Sequence, residues 1–285
     1  MVIFIFDPAL PYSSNTAKIV PMPPTLTDLI TLARQAGEIL RLSFGQHLHV
    51  DHKGAIDLVS EADRRSEQFL LSYIRRHFPA DRIMAEETGE LAGTGDHAWY
   101  IDPLDGTVNY VHGLPIYSVS IAYAEADELR LGVVYDPMRD ECFSAESGAG
   151  AWLNGQPIHP SATPDLDHAL LVTGFPYDIR TNPDNNLDHY THFALHSQGV
   201  RRLGSAALDL CYVACGRFDG FWELRLNPWD VAAGGLIARE AGAVVSNLAG
   251  EPDFISPPLS ILAANQALHT LMLGALKPNP PSPTP

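Results

Sequence analysis

Scarcity of three things narrows what this chain can do. It holds 3 cysteines in 285 residues, Cys142, Cys211 and Cys215, too few and too unevenly spaced for a disulfide framework. A reducing compartment follows, and the expected location is cytoplasmic. Cys211 and Cys215 stand four apart on an expected helix, but no second pair completes a zinc set, so they are read as core. Positive charge is scarce too: 18 Lys and Arg stand against 34 Asp and Glu, a formal charge of −16. Binding a phosphate backbone needs a basic face, so a direct nucleic-acid partner is disfavoured. No apolar run approaches the ~20 residues that span a bilayer, so no membrane partner is expected. Gly148-Ala-Gly150 lacks the third glycine of a dinucleotide fingerprint. Neither a Gly-x-x-x-x-Gly-Lys-Ser/Thr phosphate loop nor the Gly-x-Ser-x-Gly elbow of serine hydrolases occurs.

What remains is a globular composition, with 46% hydrophobic and 18% charged residues. The length suits one large domain or two closely packed ones. Residues 1–24 open on a short apolar run and then turn to Pro, Ser and Asn. They are expected to be a disordered extension, and for residues 1–21 a misplaced start codon is an equal reading. Residues 277–285 form a Pro-rich tail expected to fray.

Periodicity predicts helices over 25–42 and 62–78, then paired strands over 118–124 and 129–135, with Asn154-Gly155 as a hairpin turn. Beyond residue 160 the pattern alternates. It predicts a strand over 169–173, helices over 187–198 and 205–215, a strand over 218–222 and a helix over 231–241. Strands over 243–246 and 261–264 and a helix over 268–276 complete it. The expected organisation is an N-terminal α+β half over 25–160 carrying the chemistry and a C-terminal α/β half over 161–276, without a flexible linker.

The chemistry centres on Asp102-Pro-Leu-Asp-Gly-Thr-Val-Asn109. Asp102 and Asp105 bracket a predicted Pro-containing turn at a strand end, where two carboxylates and a carbonyl can share one space. Mg²⁺ favours such all-oxygen surroundings. Gly106 and Thr107 follow at the start of a helical turn, where free amides can hold phosphate. A turn that merely caps a helix is the competing reading. Glu86-Glu87, Asp63 and Asp230 taken singly are surface or capping carboxylates; taken together they are a set that a fold could gather around two or three ions. His189, His192 and His196 share a helical face but lack a ligand to complete a shell, so they are read as a surface or subunit contact.

With Asp57-Leu-Val-Ser-Glu-Ala-Asp63, Ala85-Glu-Glu87, Gly204-Ser-Ala-Ala-Leu-Asp-Leu210 and Trp229-Asp-Val-Ala-Ala-Gly-Gly-Leu-Ile-Ala-Arg-Glu-Ala-Gly242 in the same order, the chain resembles the inositol monophosphatase family of Mg²⁺-dependent, Li⁺-sensitive phosphatases. The likeness runs from about residue 25 to 276. It implies a layered αβαβα sandwich with two mixed sheets, of the sugar-phosphatase type, commonly a homodimer.

It also implies that Glu86, Asp102 and the Leu104 carbonyl hold one Mg²⁺, that Asp102, Asp105 and Asp230 hold a second, and that Glu86 touches a third. Thr107, oriented by Asp63, would bind the attacking, metal-activated water. The Gly106 and Thr107 amides would hold the phosphate, and Glu223 the substrate hydroxyls. Arg202 and Arg225 occupy substrate-side positions that vary within the family, Tyr110 replaces a usual Phe, and Ala243 stands where a second Gly is frequent.

The implied activity is hydrolysis of a small phosphate monoester, with a phosphorylated polyol, inositol monophosphate, as the default. Histidinol phosphate and other sugar or nucleotide phosphates are alternatives. A regulatory protein-binding module is the alternative of a different class, and a two-carboxylate glycosidase, which needs no metal, is a third.

Overall fold

A computed structural model describes residues 22–46, 50–52, 58–257 and 259–276. The extension over 1–21, the tail over 277–285 and Asp57 of the first motif lie outside the described residues. In chain order the elements begin with α1 (Leu26–Ser43), β1 (Val50–His52), β2 (Leu58–Ser60), α2 (Glu61–His77), β3 (Arg82–Ala85), β4 (Gly89–Leu91), β5 (His97–Asp105) and α3 (Thr107–Val111). The strands β6 (Ser118–Glu125), β7 (Glu128–Asp136), β8 (Glu141–Glu146), β9 (Gly150–Leu153), β10 (Gln156–Pro157) and β11 (Leu170–Thr173) follow. The chain then forms α4 (Leu187–His196), β12 (Gly199–Arg201), α5 (Ala206–Ala214), β13 (Gly220–Leu224), α6 (Pro228–Glu240), β14 (Val244–Ser246), β15 (Ser260–Ala264) and α7 (Gln266–Leu276).

These elements stack in five layers. The helices α1 and α2 cover one face of an eight-stranded sheet ordered β10-β9-β8-β7-β6-β5-β3-β4, and α5 and α6 cover its other face. A five-stranded sheet ordered β12-β11-β13-β15-β14 lies beyond α5, with α4 and α7 outside it. Both sheets are mixed: β3 pairs with β5 and β11 with β12 and β13 in parallel, whereas β5 to β9 run antiparallel and β15 opposes β13 and β14. The expected layered sandwich is the fold observed.

The core explains the layering. One apolar cluster unites Ala122, Val134 and Phe143 of the large sheet with Leu208 and Cys211 of α5, Ala233 and Ile237 of α6, and Phe221 and Ala263 of the small sheet. The α5/α6 layer is thus buried on both sides. It reads as a run of small and branched residues, Val231-Ala-Ala-Gly-Gly-Leu-Ile-Ala238, rather than as an amphipathic stripe. A second cluster holds Leu29, Leu32 and Leu70 against Trp99, Ile121 and Val133 on the outer face. Buried Trp99 keeps its polar edge satisfied by donating from Nε1 to Asp81 Oδ2 at 2.9 Å.

Three local readings change. The Asp102–Asp105 segment is not a turn after a strand: β5 continues to Asp105, and its register with β6 shifts between these two residues. Pro103 has no N–H to pair, so the strand bulges instead of ending, and the Ser66 hydroxyl donates to the Pro103 carbonyl at 2.9 Å. The strand placed over 218–222 begins at Gly220, because the Phe218 amide still donates to the Tyr212 carbonyl in the last turn of α5. The helix placed at Val231 begins at Pro228, which suits the first helical turn. Strands β1, β2, β4 and β12, with three residues each, are too short to give a periodic signal.

At Gly132, in the middle of β7, an added Cβ would stand 3.0 Å from the Ala233 carbonyl oxygen and 3.2 Å from its Cα in α6. The bare backbone lets the inner helix seat on the sheet. Gly132→Val is therefore expected to destabilise by about 1–3 kcal/mol, read as a lower urea midpoint at unchanged slope. An unaltered midpoint would mean that α6 does not bear on this strand.

Candidate active site

Two helix starts and one strand end carry the key carboxylates. Asp63 is the third residue of α2 and closes a capping box: its Oδ2 accepts from the Ser60 amide at 2.9 Å and from the Ser60 hydroxyl at 2.5 Å. Its other oxygen, Oδ1, lies 2.9 Å from Thr107 Oγ1. Asp230 repeats the device in α6, accepting at Oδ2 from the Asn227 amide at 2.7 Å. Capping and chemistry are not competing explanations here, because the cap fixes the rotamer that the site needs.

Asp105 is held by three donors from two elements. Its Oδ2 accepts from Ser205 Oγ at 2.5 Å, from the Ala207 amide at 3.0 Å at the start of α5, and from Ser118 Oγ at 3.3 Å in β6. Asp102 accepts from the Leu104 amide at 3.0 Å, which folds the bulge back over its own carboxylate. Glu86 directly follows β3, and its amide extends the pairing to the Ile101 carbonyl at 3.2 Å. Glu67, buried in α2, accepts from the Glu87 amide at 2.9 Å and from the Thr88 hydroxyl, which pins the loop that carries Glu86.

Gly106 joins β5 to the short helix α3 at φ +97°. A Cβ there would meet the Ile116 carbonyl oxygen at 2.9 Å and the Gly204 carbonyl oxygen at 3.3 Å. Only glycine meets both demands. Thr107 is buried, and its hydroxyl, with one proton to give, faces Asp63 Oδ1 and the Leu104 carbonyl oxygen at 3.0 Å.

These residues line one cavity of about 490 Å³. Glu86, Asp102, Leu104, Asp105, Gly106, Thr107, Arg202, Glu223 and Asp230 all contribute to its wall, and Asp63 stands behind Thr107. Arg225 does not line the cavity; it pairs with Asp178 at 2.8 Å. Asp209 lines the wall as well, a position for which the sequence offered only a place in a helix motif. Ser205, Asn227 and Glu67 are further site-building residues that the sequence did not single out.

Among the described residues the wall carries six carboxylates, from Glu86, Asp102, Asp105, Asp209, Glu223 and Asp230, against one guanidinium, Arg202. Their ionisation shows the imbalance. Burial, then the charges of Glu86, Asp105 and Asp230, push Asp102 well above the usual carboxylate range. Burial also raises Asp105 to about 6 against the pull of its Ser205, Ala207 and Ser118 hydrogen bonds. Asp230 rises to about 7 and Glu223 to about 8, in both cases chiefly through desolvation. Asp63 is raised by burial, which its Ser60 and Thr107 donors oppose.

Such a wall fits hard divalent cations, since it offers oxygen donors and lacks compensating positive charge. No three Asp, Glu, His or Cys side chains among the described residues converge closely enough to enclose an ion by themselves. A cation there would complete its shell with water and substrate oxygens, as Mg²⁺ ordinarily does.

Comparison with known proteins identifies the family. The model of the inositol monophosphatase family matches residues 23–280. Inositol-1-monophosphatase of Synechocystis sp. is 44% identical over 274 residues, spanning 94% of this chain and 95% of its own. Nus factor SuhB of Pseudomonas aeruginosa is 43% identical over 271 residues, spanning 92% of this chain and 99% of its own. Among solved structures, the extragenic suppressor protein suhB from Bartonella henselae superposes with a TM-score of 0.81 at 37% identity, covering 87% of this chain and 96% of that one.

The raised carboxylates fix the pH behaviour of the metal-free protein. Between their unfolded values near 4 and their folded values of about 6, 7 and 8 for Asp105, Asp230 and Glu223, the folded state binds more protons. Stability is therefore greatest below pH 4 as far as these groups go, and is lost as pH rises through those folded values. Thermal melts in chelator should show a midpoint that falls from pH 5 to pH 8. A fixed Mg²⁺ concentration about 100 times the Kd at pH 8 should restore ~2.7 kcal/mol there and less at pH 5, where protons compete for the carboxylates. A Mg²⁺ shift larger at pH 5 than at pH 8 would contradict the assignment.

Proposed function

Because the chain belongs to the inositol monophosphatase family and is a phosphatase, we propose that its cavity hydrolyses a small phosphorylated polyol, with inositol monophosphate as substrate, aided by two to three Mg²⁺ ions. The observation that carries this reading is the gathering of six carboxylates and one guanidinium in one cavity beside the Thr107–Asp63 pair. Glu86, Asp102 and the Leu104 carbonyl would hold one ion, Asp102, Asp105 and Asp230 a second, with Glu86 touching a third. Bound Mg²⁺ supplies charge neutralisation on the phosphoryl oxygens and lowers the pKa of water.

The chain's own residues supply position. Asp63 Oδ1 accepts the hydrogen bond of the Thr107 hydroxyl, so the Thr107 oxygen is left to accept a hydrogen bond from a water and to orient it toward phosphorus. Ser60 holds Asp63 in the rotamer that does this. The Gly106 and Thr107 amides would face the phosphate from the mouth of the bulge. Arg202 and Glu223 would meet the leaving group, whereas Arg225, outside the cavity in its pair with Asp178, would reach substrate only by leaving that pair. A homodimer, Li⁺ inhibition and a cytoplasmic location belong to the same reading. Among the described residues no helix is long and apolar enough to cross a membrane.

The name of the Pseudomonas relative, a Nus factor, favours a second reading, a regulatory protein-binding module. Phosphate release from inositol 1-phosphate, histidinol phosphate and other sugar and nucleotide monophosphates, with Mg²⁺ and with chelator, separates these readings. Inositol phosphate should be cleaved fastest, and only with Mg²⁺; much faster release from histidinol phosphate would displace the polyol assignment. Asp102→Asn should lower turnover at least ~100-fold. Thr107→Val should lower kcat by about 10²–10⁴ with little change in KM. Full turnover in either variant would defeat the mechanism.

A further inference from the structure

The proposed ion ligands come from the large sheet and the start of α6, but another part of the cavity wall is built by the small sheet and α5. Asp209 in the first turn of α5, Glu223 in β13, Gly174 and Phe175 after β11 and Arg202 after β12 all line it. Asp209 is 1% exposed, and its Oδ1 is buried without a hydrogen-bond partner. An acid in the first turn of a helix is ordinarily explained by capping or by the helix dipole. Here the start of α5 is already served: Ala207 donates to Asp105, and the Asp209 amide donates to the Ser205 carbonyl at 2.9 Å. A buried acceptor with no donor works against the fold, and it persists where something outside the chain completes it.

Glu223 is the neighbouring carboxylate on this part of the wall. It is buried, and a Cβ at Gly174 would collide with its carboxylate, so the glycine keeps the space in which the group sits. The Glu223 charge raises Asp209 and the Asp230 charge raises Glu223, with Asp105 adding to both and Arg202 opposing both.

We propose that Asp209 is a substrate-specificity residue which, with Glu223, forms a paired acceptor for neighbouring hydroxyl groups on the leaving group of a phosphorylated polyol. This rests on the phosphatase reading and sharpens it. The Arg202 guanidinium on the same wall acts electrostatically on both carboxylates and works against a cationic leaving group such as an imidazolium or ammonium. A carboxyl oxygen accepts from a hydroxyl proton in either ionisation state, and the unpartnered Asp209 Oδ1 offers such an acceptor. Phe175 adds an apolar surface suited to the C–H face of a ring.

The test compares kcat/KM for inositol 1-phosphate with that for phenyl phosphate, whose leaving group has no further hydroxyl. In Asp209→Leu the ratio should fall ~10-fold or more, carried by KM. Asp209→Asn, which keeps an acceptor oxygen in place, should recover most of it. The thermal midpoint of Asp209→Leu should equal or exceed that of the wild type, because an unpaired buried carboxyl has been removed. An unchanged ratio, an equal loss on both esters, a lower midpoint, or a loss confined to histidinol phosphate would each overturn the assignment. Absence of Mg²⁺-dependent release from either ester by the wild type would overturn the phosphatase reading, and this inference with it.

Discussion

Desolvation of clustered carboxylates is the problem around which this molecule is organised. Asp102, Asp105, Asp209, Glu223 and Asp230 are drawn from two sheets and two helices into one cavity wall, and each is pushed toward its protonated form chiefly by loss of water, with neighbouring carboxylates adding to this for all but Asp105. A fold does not assemble such a wall for stability. The arrangement makes physical sense when cations and a phosphoryl group occupy the same space, since each then offsets the other's charge.

Holding that wall together requires rigidity from elsewhere. The inner α5/α6 layer supplies it, being packed between two sheets and built from residues small enough to let the backbones approach. The start of α6 delivers Asp230, and the start of α5 binds Asp105 through Ser205 and Ala207. On the outer face α2 delivers Asp63 through its capping box and steadies the Glu86 loop through Glu67. The same hydrogen bonds that begin the helices thus set the orientation of the reactive groups. Preorganisation of this kind is what transfers binding energy to a transition state.

Much of this was legible in the sequence, for identifiable reasons. Asp102 and Asp105 sit in one short segment, so their neighbourhood is local, and the long helices α1 and α2 announce themselves by period. The bulge within β5 was not legible, because an Asp-Pro step reads equally well as a turn until β6 is seen to pair with Asp105. Asp209 carries no local signal either: between Leu208 and Leu210 it looks like the solvent side of a helix. Its meaning depends on Glu223 and Arg202, which join it only through the sheet. Arg225 shows the reverse case, a substrate-side position by resemblance whose side chain the fold ties to Asp178.

Diffraction from crystals soaked in Mn²⁺, which shares the oxygen preference of Mg²⁺ and scatters anomalously, would probe the central idea most directly. Anomalous peaks within coordination distance of the carboxylates of Asp102 and of Asp105 or Asp230 are expected, with further oxygens supplied by water. Full occupancy of Mn²⁺ at other surfaces, with no peak inside the carboxylate cavity, would contradict it.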